Sequence, residues 1–258
     1  MERHACYMST VESEVDVDGK VVLITGGSRG IGFAAARELG LRGATVVLLG
    51  LDPERAHAAA IELEKDGIHA VGVHADVSDF DAVTRAALEL GSLAAPDILV
   101  VSAGVMSGRM TKTMRTESDE WHRVMSINLD GAFHSINTFA KGMIERRDGR
   151  IITVSACLGR FSGPGTSGGL APYRVSKAGV NALTRNLAAE LQWGARGVLV
   201  DAMCPNHTQT DMGGPDAPRT AAVGADTIVW LATRPDRNLT GEVVPTGLLW
   251  EDRQVVPW

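Results

Sequence analysis

"KVVLITGGSRGIGFAAARELG", residues 20–40, passes from one kind of secondary structure to another with only a glycine turn between them. Its first six residues are an apolar, β-branched run that suits a strand buried on both faces. Its last residues, "FAAARELG", carry alanine and leucine at helical spacing. Between the two, Gly26, Gly30 and Gly32 stand in a TGxxxGxG arrangement. Without side chains the backbone can turn sharply and bring its N–H groups and the helix N-terminus onto a pyrophosphate. A strand, a glycine loop and a helix in direct succession predict a parallel sheet with a dinucleotide beyond its C-terminal edge.

The rest of the chain repeats that alternation. "ATVVLLG" (44–50), "HAVGVHAD" (69–76), "PDILVVSAG" (96–104), "GRIITVS" (149–155) and "GVLVDAMCP" (197–205) read as further strands. "DPERAHAAAIELEKDG" reads as a helix with proline in its first turn and glycine at its end, and further helices are expected over about 79–91, 118–146 and 173–192. The expectation is one α/β domain over 18–258, a Rossmann-type doubly wound parallel sheet with helices on both faces. Residues 1–17 read as a flexible leader without the apolar core of a signal peptide, and Met8 could serve as the start.

The 258 residues carry a net charge of −6 and no basic run, which argues against nucleic acid or an anionic membrane as partner. No stretch approaches the roughly 18 apolar residues of a membrane span. Cys6, Cys157 and Cys204 show no CxxC pairing and are expected as free thiols in a reducing cytoplasm. The seven histidines lack HxxxH spacing, so no metal is expected.

Asp76, ending "HAD", is placed to accept from an adenine amino group, with Val77 beside it. The second strand ends at Gly50 and Leu51, which offer neither an acid for a ribose 2′-hydroxyl nor a base for a 2′-phosphate. Asp52 reads instead as the cap of the following helix. Arg29, between Ser28 and Ile31 in the phosphate loop, can set a guanidinium against a 2′-phosphate, which points to NADP(H).

"YRVSK" places Tyr173 and Lys177 at i and i+4 on one helix face. An ammonium beside a phenol is expected to lower its pKa towards that of a working general acid. With "TGGSRGIG", "HADV", "SAG" (102–104), "INLDGAF" (127–133) and "CPNHTQTDM" (204–212) in the same order, residues 18–258 resemble the short-chain dehydrogenase/reductase family. The tail from Thr210 looks like that of bacterial carbonyl reductases, and more weakly like that of ketoreductases tailoring aromatic polyketides.

The resemblance implies that Tyr173 donates a proton to a carbonyl oxygen, while Lys177 holds the nicotinamide ribose and tunes the phenol. It implies that Asn128 holds a water relaying protons to Lys177, and that Ala103, Gly104, Pro205, Thr208 and Thr210 flank the nicotinamide end. It also implies a homo-oligomer, dimer or tetramer.

Three departures stand out. Where the family reads Ser-Ser-x-x-Gly, this chain has Ser155-Ala156-Cys157-Leu158-Gly159, so the second, carbonyl-polarising serine falls on alanine. Because strand neighbours point to opposite faces, Ala156 is expected to face the cleft, with Ser155 as fallback donor through a backbone bulge. Val101-Ser102 stands for Asn-Asn, and Pro205-Asn206 for Pro-Gly. A hydroxyl from Ser162, or one on the substrate itself, could compensate.

"RFSGPGTSGGLAP" (160–172) reads as a mobile loop over the substrate, with Phe161, Leu170 and Met106 as apolar contacts. The expected activity is NADPH-dependent reduction of a ketone on a hydrophobic, cyclic or aromatic substrate. A non-redox enzyme or nucleotide-binding sensor on the same fold is the other reading, favoured by Val101, Ala156 and Asn206. Retention of Tyr173, Lys177 and Asn128 together favours the reductase.

Overall fold

The computed structural model describes residues 14–108 and 112–258. Its strands are β1 (Val21–Thr25), β2 (Thr45–Gly50), β3 (Ala70–His74), β4 (Ile98–Val101), β5 (Gly149–Val154), β6 (Val198–Met203), β7 (Leu249–Glu251) and β8 (Gln254–Val256). They form one sheet in the order β3-β2-β1-β4-β5-β6-β7-β8, parallel throughout except for β8. The order reverses between β1 and β4, and at such a switch point a crevice opens beyond the strand ends.

Each central strand feeds alternate residues to opposite layers, as a period of two requires. Val22, Ile24, Val46, Leu48, Val100 and Ile152 pack with α1 (Gly30–Gly40), α2 (Pro53–Lys65) and α8 (Ala221–Thr233). Leu23, Val47, Leu49, Leu99, Val101 and Ile151 pack with α3 (Phe80–Leu90), α5 (Gly131–Phe139) and α7 (Ala171–Glu190). The doubly wound sheet expected from the alternation is the fold observed.

Three details differ from the sequence reading. The helix expected over 118–146 is divided into α4 (Ser118–Met125), α5 and α6 (Lys141–Arg146), with a π-turn over Ser126–Asp130 that holds Asn128. Such turns widen a helix locally and recur at functional sites. The leader expected over 1–17 lies outside the described residues up to residue 13, but residues 14–17 are docked. Val15 N–H donates to Thr233 O at 2.6 Å and Val17 is buried in the core, so the expected boundary at 18 moves back.

The last two strands were not expected, because three residues each carry too little pattern. They are fixed by a hairpin whose two turn residues, Asp252 and Arg253, both have positive φ. They are also fixed by a buried ion pair. Asp201 of β6 accepts from Arg234 Nη2 (2.6 Å), Trp250 Nε1 (3.0 Å) and Thr246 Oγ1 (3.1 Å). The Arg234 guanidinium lies 4.9 Å over the Trp250 ring.

Candidate active site

A cavity of about 650 Å³ opens at the C-terminal edge of the sheet, bordered by Gly26, Ile31, Val77, Ala103, Tyr173 and Pro205 among others. Its floor is the glycine loop. A side chain at Gly26 (φ 68°) would begin 2.8 Å from Ala103 Cα, and one at Gly32 would begin 2.5 Å from Gly26 O. Neither position tolerates a Cβ, so the loop backbone stays bare. Arg29 caps α1 with extended backbone and no side-chain bond to it, so the first turn, whose Gly30, Ile31 and Gly32 border the cavity, has N–H groups available to an anion. These features fit a dinucleotide pyrophosphate.

Around that loop, Ser28, Gly30 and Ile31 border the cavity, as do Asp76 and Val77. One Asp76 oxygen already accepts from Ser78 N–H (2.9 Å) and Ser78 Oγ (2.7 Å). Asp52 caps α2 by accepting from Arg55 N–H at 3.1 Å through Oδ1, and it borders the cavity. The Arg29 guanidinium pairs with Asp211 on the loop after β6, with both side chains more than half exposed. A 2′-phosphate must therefore share or displace that carboxylate.

On the nicotinamide side, Thr25 Oγ1 accepts from the N–H groups of Ser102 and Ala103, each at 3.2 Å. That bond holds the "SAG" turn in place despite the changed residues before it. Thr208 is buried and donates to Pro205 O at 2.9 Å, while Thr210 Oγ1 accepts from Gly213 N–H at 3.1 Å. Asn206 adopts φ 59°, the left-handed region glycine would otherwise serve and asparagine tolerates well.

Tyr173 and Lys177 both lie buried on α7. Lys177 Nζ donates to Val154 O at 2.7 Å, and burial pulls its pKa down to about 8. Burial also pushes the Tyr173 phenol up to about 12. This direction is opposite to the lowering expected from the Tyr-x-x-x-Lys spacing; loss of hydration on burial is its cause, and it favours the protonated phenol.

Asn128 is wholly engaged by protein. Its Oδ1 accepts from Val105 N–H (2.7 Å), and its Nδ2 donates to Val105 O (2.9 Å) and Ser176 Oγ (3.0 Å). Asn128 and Lys177 converge on Gly104, at 3.3 and 3.4 Å from where a side chain there would begin. The Asn128 side chain acts here as a clamp on the segment after β4, with its amide protons already committed.

The strand end expected to decide the chemistry resolves clearly. Ser155 is 2 % exposed and its Oγ donates to Asn181 Oδ1 at 2.5 Å, on the side of α7. Ser155 nevertheless borders the cavity beside Tyr173 and Lys177, with its hydroxyl engaged by Asn181. Ala156 instead packs with Tyr173, Leu170 and Val124, against Val105, Met106 and Leu158. The neighbours that pack with the phenol in that cluster are apolar, while Ser155 and Ser102 also border the cavity.

Two expectations about the loop and the cysteines need correction. Phe161 is 83 % exposed, and neither it nor Met106 nor Leu170 borders the cavity. Arg160 Nε donates to Pro257 O (2.8 Å), and Ser162 Oγ donates to Trp258 O (3.4 Å), which also removes Ser162 as a spare donor. The loop is not wholly irregular either: it holds a 3₁₀ turn over Gly163–Thr166, and Arg174 Nη1 donates to Pro164 O at 3.1 Å.

Cys157 and Cys204 are joined in a disulfide, with Cα atoms 5.6 Å apart, and are not free thiols. Their separation of 47 residues hid that β5 and β6 are adjacent parallel strands whose ends lie side by side.

Sequence reading passed over Thr25, Asp211 and Ser107. Ser107 is 7 % exposed, and among the described residues its Oγ has no hydrogen-bond partner. Only the three-dimensional fold reveals that last feature.

A buried phenol and ammonium beside a dinucleotide cradle define a nucleotide-dependent oxidoreductase. Comparison with known proteins gives the family. The family model for short chain dehydrogenases matches residues 20–220. The chain is 37 % identical over 201 residues to the 3-oxoacyl-[acyl-carrier-protein] reductase of Aquifex aeolicus, covering 77 % of this chain and 78 % of that one.

Among solved structures, the 3-oxoacyl-[acyl-carrier protein] reductase of Brucella melitensis is 30 % identical with a TM-score of 0.79, covering 97 % and 96 % of the two chains. A Beutenbergia cavernae protein described as an NAD(P)-dependent gluconate 5-dehydrogenase, with bound NADP, is 27 % identical with a TM-score of 0.79, covering 92 % and 96 %. The chain belongs to the short-chain dehydrogenase/reductase family.

Proposed function

We propose that this enzyme reduces the ketone of a hydrophobic substrate, cyclic or aromatic, with NADPH as reductant. The observation that supports this is the apolar cluster in which Tyr173 packs, with Ala156, Leu170, Val105, Met106 and Leu158. The bound cofactor supplies the hydride. Tyr173, protonated at rest, donates the proton to the developing alkoxide. Lys177 holds the ribose end and stabilises the phenolate left behind. Asn128, clamping Val105, keeps the cavity wall in register.

With Ala156 at this position, the polarising donor comes from the substrate: a carbonyl flanked by a phenol carries its own internal hydrogen bond. NADP(H) is favoured by Arg29 and by the lack of an acid at Gly50 and Leu51, and the Beutenbergia relative's bound NADP agrees.

A second reading, a 3-oxoacyl thioester substrate, is favoured by the names of the Aquifex and Brucella relatives. A panel of one 3-oxoacyl thioester, one simple cyclic ketone and one ketone beside a phenol, assayed by NADPH consumption, separates the two. The phenolic ketone is expected to give the highest kcat/KM. A preference for the thioester by tenfold or more overturns the first reading.

A further inference from the structure

We propose that Cys157 and Cys204 form a thiol–disulfide exchange site, served by a dithiol reductant, that sets the affinity of the nicotinamide end of the cavity. Cys157 directly follows Ala156, the wall beside Tyr173, and Cys204 directly precedes Pro205 on the cofactor side. The bond therefore ties the substrate wall to the cofactor loop, across the ends of β5 and β6. Two groups complete the cluster. Asn206 Nδ2 donates to Glu251 Oε1 at 2.9 Å, and Glu251 Oε2 lies 3.4 Å from Cys157 Sγ. Asn206 N–H points at Cys204 Sγ from 3.4 Å.

The two sulfurs are not equivalent. Cys204 is 2 % exposed, whereas Cys157 is only partly buried and is the one an incoming thiolate can reach. Attack on Cys157 Sγ forms a mixed disulfide and breaks the protein S–S bond, with the electron pair leaving on Cys204 Sγ. The Asn206 N–H faces that sulfur and stabilises its negative charge. The reductant's second thiolate then attacks its own sulfur in the mixed disulfide, releasing Cys157. The reductant leaves as a disulfide, and its two thiol protons end on Cys157 and Cys204. In the dithiol form Asn206 Oδ1, 3.0 Å from Cys157 Sγ, accepts from the new S–H.

Opening the bond frees the segment Pro205–Thr210 from the strand end that backs Tyr173. NADPH must then order that segment on binding, so the dithiol form binds it more weakly, by at least about fivefold. Linkage demands the reciprocal effect: saturating NADPH makes the disulfide harder to reduce by the same factor.

The test uses the full chain with Cys6→Ser, so that no third thiol exchanges. Mass spectrometry of a non-reducing digest should find the Cys157 and Cys204 peptides linked, and separated by dithiothreitol. NADPH titration of the oxidised protein, the reduced protein and the Cys157→Ser/Cys204→Ser double variant should place the last two together, at least about fivefold weaker than the first. If the double variant fails to fold, the oxidised and reduced forms of the same protein carry the comparison. Redox titration with and without NADPH should give the same ratio. Free alkylation of both cysteines without reductant, a zinc ion held by two intact thiols, or equal NADPH affinity in the two forms would overturn the proposal. The readout is nucleotide binding, so failure of the ketone assay leaves it standing.

Discussion

Replacing Ser155 by alanine separates a structural hydroxyl from a catalytic one. Its Oγ donates to Asn181 Oδ1 at 2.5 Å, and the two residues are 2 % and 5 % exposed. Removing the donor leaves a buried carbonyl oxygen unsatisfied, a loss of about 1–3 kcal/mol. At roughly 2–4 °C per kcal/mol for a domain of this size, the melting temperature should fall by about 2–12 °C. Turnover of the folded protein should change by less than about tenfold, whereas loss of a true oxyanion donor removes roughly a hundred- to a thousandfold. Thermal melting and kcat/KM on one preparation read both effects. The companion Ala156→Ser puts a hydroxyl beside Tyr173, and should accelerate a simple ketone while leaving a ketone next to a phenol almost unchanged. A hundredfold loss of kcat/KM in Ser155→Ala with an unaltered melting temperature would refute the assignment, because it would make Ser155 the group that polarises the substrate.

Other expectations follow from the same geometry. Arg29→Ala should weaken NADPH more than NADH, while Asp211→Asn, which removes the competing carboxylate, should tighten NADPH selectively; parallel cofactor titrations read both. Tyr173→Phe should abolish ketone reduction with nucleotide binding retained, as NADPH oxidation and direct titration would show. Lys177, at about 8, should make nucleotide affinity decline above that pH. Folding stability should move the opposite way between about 8 and 10.5, where the unfolded chain still holds a proton that the folded chain has released, so its own contribution rises with pH. Arg234→Ala should cost about 3–5 kcal/mol, since it leaves Asp201 charged and buried without its partner; denaturant unfolding measures it.

Much of the architecture was legible because parallel strands buried on both faces leave long apolar runs, and glycine spacing marks a loop that admits no Cβ. The alternation of Leu23 and Ile24, or Leu99 and Val100, between the two layers follows directly from those runs. β7 and β8 were not legible: their place depends on Asp201, Arg234 and Trp250 meeting across about fifty residues of chain. The helix that carries Tyr173 and Lys177 could be read from local periods; that Ser155 and not Ala156 borders the cavity could not. The tyrosine's rise could not, because burial is a property of the packed cluster and not of the Tyr-x-x-x-Lys spacing.

The departures from the family's motifs gain a common cause once the strands are laid side by side. β5 and β6 pair with Val154 opposite Met203, so Ala156 and Cys157 on one strand end adjoin Cys204 and Asn206 on the other. Asn206 takes the left-handed backbone of the family's glycine, and its side chain is held by Glu251. Meanwhile the supports behind the chemistry remain: Lys177 on Val154, Asn128 on Val105, Thr25 on Ala103. A nucleotide sensor has no use for a buried phenol backed by an ammonium and a clamped cavity wall. A reductase whose substrate brings its own hydrogen-bond donor needs all of these and can do without the serine. On this reading the wall at β5 and β6 has been rebuilt around a different carbonyl, with the proton donor kept in place.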